Sequence, residues 1–271
     1  LGIVGVKCGF DGTNQKFQTC IDAHESRGKN AEGRTCHCPT AMLKDARDNT
    51  KRRKGAGISV STLLQCPRAY AIEKTYDLYE PLPSMYNKFR GTSVHSIFEN
   101  EPDIPDWIIR ERRAYVEIDG TRVTGQIDEL DTKFGIITDF KSGHTIKKQI
   151  NENYVAQLMI YRFMCKYGKW LDDDSEINVD VKIVANHYLT WNTKEGSQFQ
   201  KRTYPIWEDE YTEALIKKRL RPIVEFNVNG VLPDCNPYTP AKYWKCDCEK
   251  WEEQLRENEE EFGMMGEGLN G

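Results

Sequence analysis

Between Ser59 and Phe226 the chain runs hydrophobic and polar residues in two rhythms, and each rhythm predicts a kind of element. Leu63, Leu64, Tyr70 and Ile72 recur at helical spacing behind Ser61, a natural N-cap, with Pro67 a complication near the first turn. A second short helix is predicted from Gly91 to Glu99. Ala114 to Asp119 alternates as a strand, Asp119-Gly120 is a hairpin turn, and Arg122 to Leu130 returns. Lys133 to Phe140 predicts a third strand, apolar enough to be central. Tyr154 to Cys165 then places Val155, Leu158, Met159 and Phe163 on one helix face. Ile177 to Trp191 alternates again, with Val179, Val181, Ile183 and Ala185 inward, and a long helix follows from Asp209 to about Phe226. Helix, three antiparallel strands, helix and strand in that order imply an α/β fold: a mixed sheet with helices on its faces.

The first fifty-odd residues are different. They are poor in large apolar side chains and rich in Gly, Lys and Asp, so they are expected to need a metal staple more than a core. The basic, glycine-containing stretch from Thr50 to Gly57 reads as a linker. These signals divide the chain into a cysteine-rich module, residues 1–55, and a main domain, residues 56–271. The Lys51–Lys54 run reads first as solvated linker, and the acidic stretch Glu252–Glu261 as an exposed helix.

Composition narrows the class. With 271 residues and a net charge of -4, the chain can bury one substantial core and is no cationic nucleic-acid sponge. No apolar run approaches the roughly 20 residues that span a bilayer, and the leading LGIVGV is too short for a signal-peptide core. A cytoplasmic location without membrane association is therefore expected. Nine cysteines, an odd count, argue against a disulfide scaffold and for metal coordination. The set Cys8, Cys20, Cys36 and Cys38, spaced C-x11-C-x15-C-x-C, is the expected structural zinc site of the N-terminal module, with His37 able to replace one thiolate. Cys165 sits on the apolar face of a predicted helix and is expected simply to be buried.

The candidate chemistry lies in RVTGQIDELDTKFGIITDFKSG, residues 122–143. Asp128 falls on one strand and Asp139 with Lys141 at the end of the next. Residues two apart on a strand emerge on one face. Two carboxylates there can hold Mg2+ or Mn2+ against a phosphodiester, while the lysine orients or deprotonates water and offsets developing negative charge. A surface ion pair would explain an isolated D-x-K equally well. Gly91, His95 and Glu99 share one helix face upstream, so an imidazole can complete the metal shell and the glycine can allow close helix–sheet approach. Gln157 and Tyr161 sit one turn apart downstream and can hold a phosphate or orient Lys141.

The ordered set GTSVH, GQIDEL, DFKSG and QLMIY resembles the RecB-like PD-(D/E)xK nucleases, and within them the CRISPR-associated exonuclease family and its phage-encoded relatives. The resemblance spans about Ser59 to Cys248. It implies a restriction-endonuclease-like mixed sheet flanked by helices. It also implies that His95, Asp128 and Asp139 bind the catalytic metal, with Lys141, Gln157 and Tyr161 completing the site. In that family a cysteine ahead of the nuclease motifs joins three near the C-terminus around a four-iron cluster. Cys66, followed by Pro67-Arg68, matches the first position, and Cys235, Cys246 and Cys248 supply the rest. Their C-x10-C-x-C spacing departs from the family's tighter pattern, and zinc is the alternative occupant.

The expected function is thus a metal-dependent DNA nuclease, a single-stranded DNA exonuclease active in DNA processing, recombination or repair, whose partners are DNA with free ends and DNA-processing proteins. Tyr70, Tyr86 and Tyr154 are candidate base-stacking residues, with a core role the equal alternative. A second reading makes the protein a DNA-binding or assembly factor of a nuclease or spacer-acquisition complex, with secondary nuclease activity.

Overall fold

The computed structural model describes residues 2–8, 12–25, 38–50, 57–99, 102–143, 149–192, 196–235 and 246–267, the side chains at 24, 49–50, 99, 191–192, 196–198 and 258–267 excepted. The chain divides into two compact units. One comprises Leu1–Arg52, Gln65–Tyr86 and Pro222–Gly271; the other comprises Arg53–Leu64 and Asn87–Arg221. Residues 1–52 therefore share a unit with two later segments and do not form a module by themselves.

In chain order the elements are β1 (Gly2–Lys7), β2 (Asn14–Lys16), α1 (Phe17–Glu25), α2 (Thr40–Thr50), β3 (Ile58–Ser59), α3 (Val60–Leu64), α4 (Pro67–Thr75), β4 (Asp77–Pro81) and α5 (Leu82–Glu99). There follow β5 (Ile108–Ile118), β6 (Thr121–Asp131), β7 (Ile136–Gly143), α6 (Glu152–Tyr167), β8 (Lys169–Trp170), β9 (Ile183–Asn192), β10 (Gly196–Tyr204), α7 (Asp209–Asn229) and α8 (Asp247–Glu267).

The first unit holds a three-stranded sheet in the order β2-β1-β4, with β1 parallel to β4. Contrary to the expectation of a coreless N-terminus, Val6, Phe17, Ile21, Met42 and Leu43 are buried. Five well-spaced apolar residues suffice because α1, α2 and β1 bury them against one another.

The second unit is built on a seven-stranded mixed sheet, in the order β10-β9-β7-β6-β5-β8 with β3 pairing parallel to β6. The β5–β6 hairpin turns through Asp119 and Gly120, both at positive φ (48° and 74°), as a two-residue turn of the primed type requires. From β7 the chain crosses through α6 and returns in β9 parallel to β7, the connection a parallel pair needs. Asn151 caps α6 by accepting the Asn153 N–H, and Val155, Leu158, Met159 and Phe163 are buried as their spacing predicts.

Five boundaries differ from the sequence reading. Pro67 does not sit inside a helix; it opens α4 at a position that needs no backbone donor, while α3 ends at Leu64 and Cys66 is extended (φ -62°, ψ 127°). Ser59, not Ser61, caps α3 through the Thr62 N–H. The helix carrying His95 begins at Leu82, nine residues before Gly91. The third strand starts at Ile136, because Asp131 accepts the Lys133 and Phe134 N–H groups and turns the chain there. Likewise β9 starts at Ile183; Ile177 and Val181 are buried in irregular chain ahead of it.

Candidate metal centres

The sheet of the second unit is interrupted where its candidate metal ligands lie. β6 and β7 pair over Glu129–Asp131 with Ile136–Thr138 and then diverge. At the fork the Asp128 carboxylate replaces the missing rung, accepting the Phe140 N–H at 2.8 Å. The β5–β6 ladder skips one rung, Glu111 opposite Asp128. Glu111 is left-handed, with φ 48°, a conformation that costs a non-glycine residue on the order of 1–3 kcal/mol and is concentrated at functional sites.

His95 reaches this fork from α5. Its Nδ1 lies 2.9 Å from Glu111 Oε1 and 3.6 Å from Asp128 Oδ2, and Glu111 Oε2 accepts from Gln126 Nε2 at 2.6 Å. His95, Glu111 and Asp128 can hold a metal ion together. A donor set of one imidazole and two carboxylates suits a hard divalent cation such as Mn2+ or Mg2+. Glu111 escaped the sequence reading because IIRERRAYVEI carries several charged residues at equivalent-looking strand positions. Its positive φ and burial, which single it out, are not written in local sequence.

Asp139 has a different set of partners. Lys141 Nζ donates to its Oδ1 at 2.9 Å and lies 2.8 Å from Oδ2, and Asn186 Nδ2 donates to Oδ2 at 2.6 Å. Among the described residues Asp139 is not part of the three-ligand group, whereas the resemblance makes it a ligand alongside His95 and Asp128. Lys141 Nζ also donates to Gln157 Oε1 at 3.1 Å, and Gln157 Nε2 donates to the Tyr161 hydroxyl at 2.9 Å. The Tyr154 ring lies 4.5 Å from the ammonium. All six sequence-predicted residues of this site thus stand in one neighbourhood, joined by Glu111 and Asn186. Asn186 is in register with Asp139 on the neighbouring parallel strand and fully buried, and its Oδ1 has no hydrogen-bond partner among the described residues.

Two glycines trade roles. A Cβ at Gly91 would meet only Ser142 Oγ at 3.9 Å, an ordinary contact, so no close approach depends on it. A Cβ at Gly125 would lie 2.4 Å from Tyr161 Cε1 and 3.2 Å from Val60 Cγ2; this glycine is what admits the Tyr161 ring. The Glu99 side chain lies outside the described residues.

The electrostatics follow from burial and crowding. Burial, together with the neighbouring Asp139, pushes the Asp128 carboxyl up to about 8. The hydrogen bond that His95 donates to Glu111 raises the imidazole against the opposing effect of burial. Burial alone would lower the Lys141 ammonium, yet Asp139 and Asp128 outweigh it and raise the group, so the lysine stays charged. Burial raises Tyr161 far above an ordinary phenol, which keeps its hydroxyl neutral.

The first unit holds a second group. Cys66, Cys235, Cys246 and Cys248 bring their four sulfurs within 4.8 Å of one another and can hold a metal. Cys66 precedes α4, Cys246 precedes α8 and Cys248 lies in its first turn, while Ala69, Ile72, Leu78 and Trp251 wall the site. Burial pushes the Cys246 thiol up to about 12. Among the described residues Cys8, Cys20 and Cys38 form no three-ligand group; Cys36, His37 and the basic run 51–54 lie outside the described residues. Cys165 is buried, and burial pushes its thiol up to about 12.

No family model and no curated protein matches the chain. A solved structure titled "Crystal structure of SSO0001" is similar, with a TM-score of 0.46 at 14% identity over 67% of this chain and 84% of its own. The protein is a mixed α/β protein whose large mixed sheet is flanked by helices, with a four-cysteine group in its other unit. Among the described residues no helix is long and apolar enough to cross a membrane.

Proposed function

We propose that the protein is a metal-dependent DNA nuclease on a restriction-endonuclease-like sheet, acting as an exonuclease on single-stranded ends. The observation that carries this reading is the unbroken set of side chains around the β6–β7 fork, from His95 and Glu111 through Asp128, Asp139 and Lys141 to Gln157 and Tyr161. A divalent cation supplies charge neutralisation on the nonbridging oxygens and lowers the pKa of a water. His95, Glu111 and Asp128 would hold it.

The chain's own groups then divide the work. Asp139, fixed by Asn186 and Lys141, presents a carboxylate of defined orientation beside Asp128. Lys141 stays protonated, so its part is electrostatic: its ammonium stabilises charge growing on phosphorus-bound oxygens and orients the attacking water. Gln157 and the neutral Tyr161 hold the lysine against α6, and the Tyr154 ring limits water on its outer side. The resemblance of GTSVH, GQIDEL, DFKSG and QLMIY to the RecB-like nucleases supplies the choice of DNA as substrate.

Purified protein incubated with end-labelled linear and circular single-stranded DNA and Mn2+ tests the proposal. Linear strands are expected to be degraded from their ends, circles to persist, and Asp139→Ala and Lys141→Ala to be inactive while still binding DNA. Wild type as inert as both variants would sink the enzymatic reading. Cleavage of circles would replace the exonuclease with an endonuclease.

A further inference from the structure

We propose that Cys66, Cys235, Cys246 and Cys248 hold one zinc ion in a closed four-thiolate site, not a four-iron cluster. The inference stands on sulfur geometry and is independent of the nuclease reading. Cys235 Sγ lies 3.2 Å from Cys248 Sγ and 4.0 Å from Cys66 Sγ, and all four sulfurs lie within 4.8 Å of one another. Zinc–sulfur bonds of about 2.3 Å in a tetrahedron set the sulfurs about 3.8 Å apart. In a four-iron cluster each thiolate binds a different iron at the corner of a cube, which holds the sulfurs roughly 6 Å apart. The observed spacing brackets the first figure and falls short of the second for every pair.

The surroundings fix that spacing. The Cys66 carbonyl accepts the Tyr70 N–H and the Cys246 carbonyl accepts the Glu249 N–H, so each is the residue from which a helix springs, α4 and α8 respectively. Both helices thereby turn their positive ends toward the sulfurs, which favours the net negative charge of a four-thiolate zinc. The third strand of support is Arg68. Its Nε donates to Glu252 at 2.6 Å on α8, and its Nη1 donates to the Pro233 carbonyl at 3.2 Å, two residues before Cys235. This clamp ties the Cys235 segment to both helices. Opening the site to a cube would require each sulfur pair to separate by more than about 1 Å, against α4, α8 and the apolar wall of Ala69, Ile72, Leu78 and Trp251.

Four protein sulfurs fill all the positions of a tetrahedral ion, so the site is closed to substrate and its role is structural. It joins Cys66 to a segment 169 residues further along the chain. Redox silence follows from zinc itself, which has no accessible second oxidation state.

The whole chain, prepared anaerobically from iron-supplemented cells, serves for the test. Metal content and acid-labile sulfide are measured for wild type and for Cys248→Ser, since the difference isolates this site from any zinc bound elsewhere. The expected result is no labile sulfide and one zinc fewer in the variant. Should Cys248→Ser fail to fold, sulfur coordination at the zinc X-ray absorption edge of wild type gives the same answer, expected as a sulfur-dominated shell at about 2.3 Å. Iron and labile sulfide in equal amounts at about four each per chain would overturn the proposal. So would wild type free of both metals, or a zinc shell of nitrogen and oxygen.

Discussion

The carboxylate centre and the cysteine centre reach the same capacity, gathering ligands around a cation, by opposite constructions. His95, Glu111 and Asp128 come from one helix and two adjacent strands, and His95 keeps 32% of its side chain exposed. The four cysteines come from two helix starts and an intervening segment, and Cys248 is 1% exposed. Hard nitrogen and oxygen donors, only three in number, leave coordination positions for water and substrate. Soft sulfurs, four in number, leave none. Among the described residues of the two centres, only Glu111 is left-handed; Cys66, Cys246 and Cys248 sit in an apolar cluster, while Cys235 is exposed. The lesson is that ligand count and strain distinguish the centre proposed to do chemistry from the one proposed to hold the chain.

That contrast can be broken by experiment. The largest effect is expected from Asp128→Ala, which should depress DNA cleavage in Mn2+ at least about 1000-fold while leaving the metal content of the cysteine centre unchanged. A loss of that metal alongside activity would erase the distinction between the two. Asn186→Ala should raise the Mn2+ concentration needed for half-maximal cleavage by about 10–100-fold, the usual cost of losing a group that orients a site carboxylate. Asn186→Asp should raise it further by like-charge repulsion with Asp139, and an unchanged metal requirement in both variants would show that Asp139 needs no such support.

Glu111→Gly sharpens the strain argument. It should weaken cation binding, read by titration calorimetry, yet raise the thermal midpoint of the metal-free protein by the equivalent of about 1 kcal/mol, because glycine adopts the left-handed conformation freely. A lowered midpoint would mean that the hydrogen bonds Glu111 makes with His95 and Gln126 outweigh its strain. The smallest effect concerns neither centre and calibrates the rest. Burial would raise Asp209, but hydrogen bonds from Lys166, Tyr167 and Arg162 overcome it and hold the carboxyl at about 2. Its stabilising contribution is therefore complete above its unfolded value of about 3.9 and lost as pH falls toward 2. Asp209→Asn should cost about 1 kcal/mol at neutral pH after solvent screening of the exposed Lys166, and only a fraction of that at pH 2, by chemical denaturation.

Period and turn chemistry made much of the second unit legible. Alternation marked β5 and β6, Asp119-Gly120 marked their turn, and helical spacing marked α6. What local sequence could not carry was pairing: β10 follows β9 as a polar strand, GSQFQKRTY, with little apolar alternation to announce it. In the site, residues flanked by motif signals were visible, as His95, Asp128, Asp139, Lys141, Gln157 and Tyr161 were. Glu111 and Asn186 were not, since one is defined by a backbone torsion and the other by its register with Asp139 across a crossover. The first unit was least legible because its strands β1 and β4 are short and pair across some seventy residues of chain.

The bond from the Phe140 N–H to Asp128 also bears on which cation the fork accepts. With one lone pair of Oδ2 engaged by the backbone, Asp128 offers Oδ1 more freely than both oxygens together. Calcium is large and favours six to eight oxygens, often taking a carboxylate by both of them; magnesium and manganese accept single-oxygen contacts in an octahedron. A backbone amide at a strand fork would thus bias the proposed site toward the smaller ions.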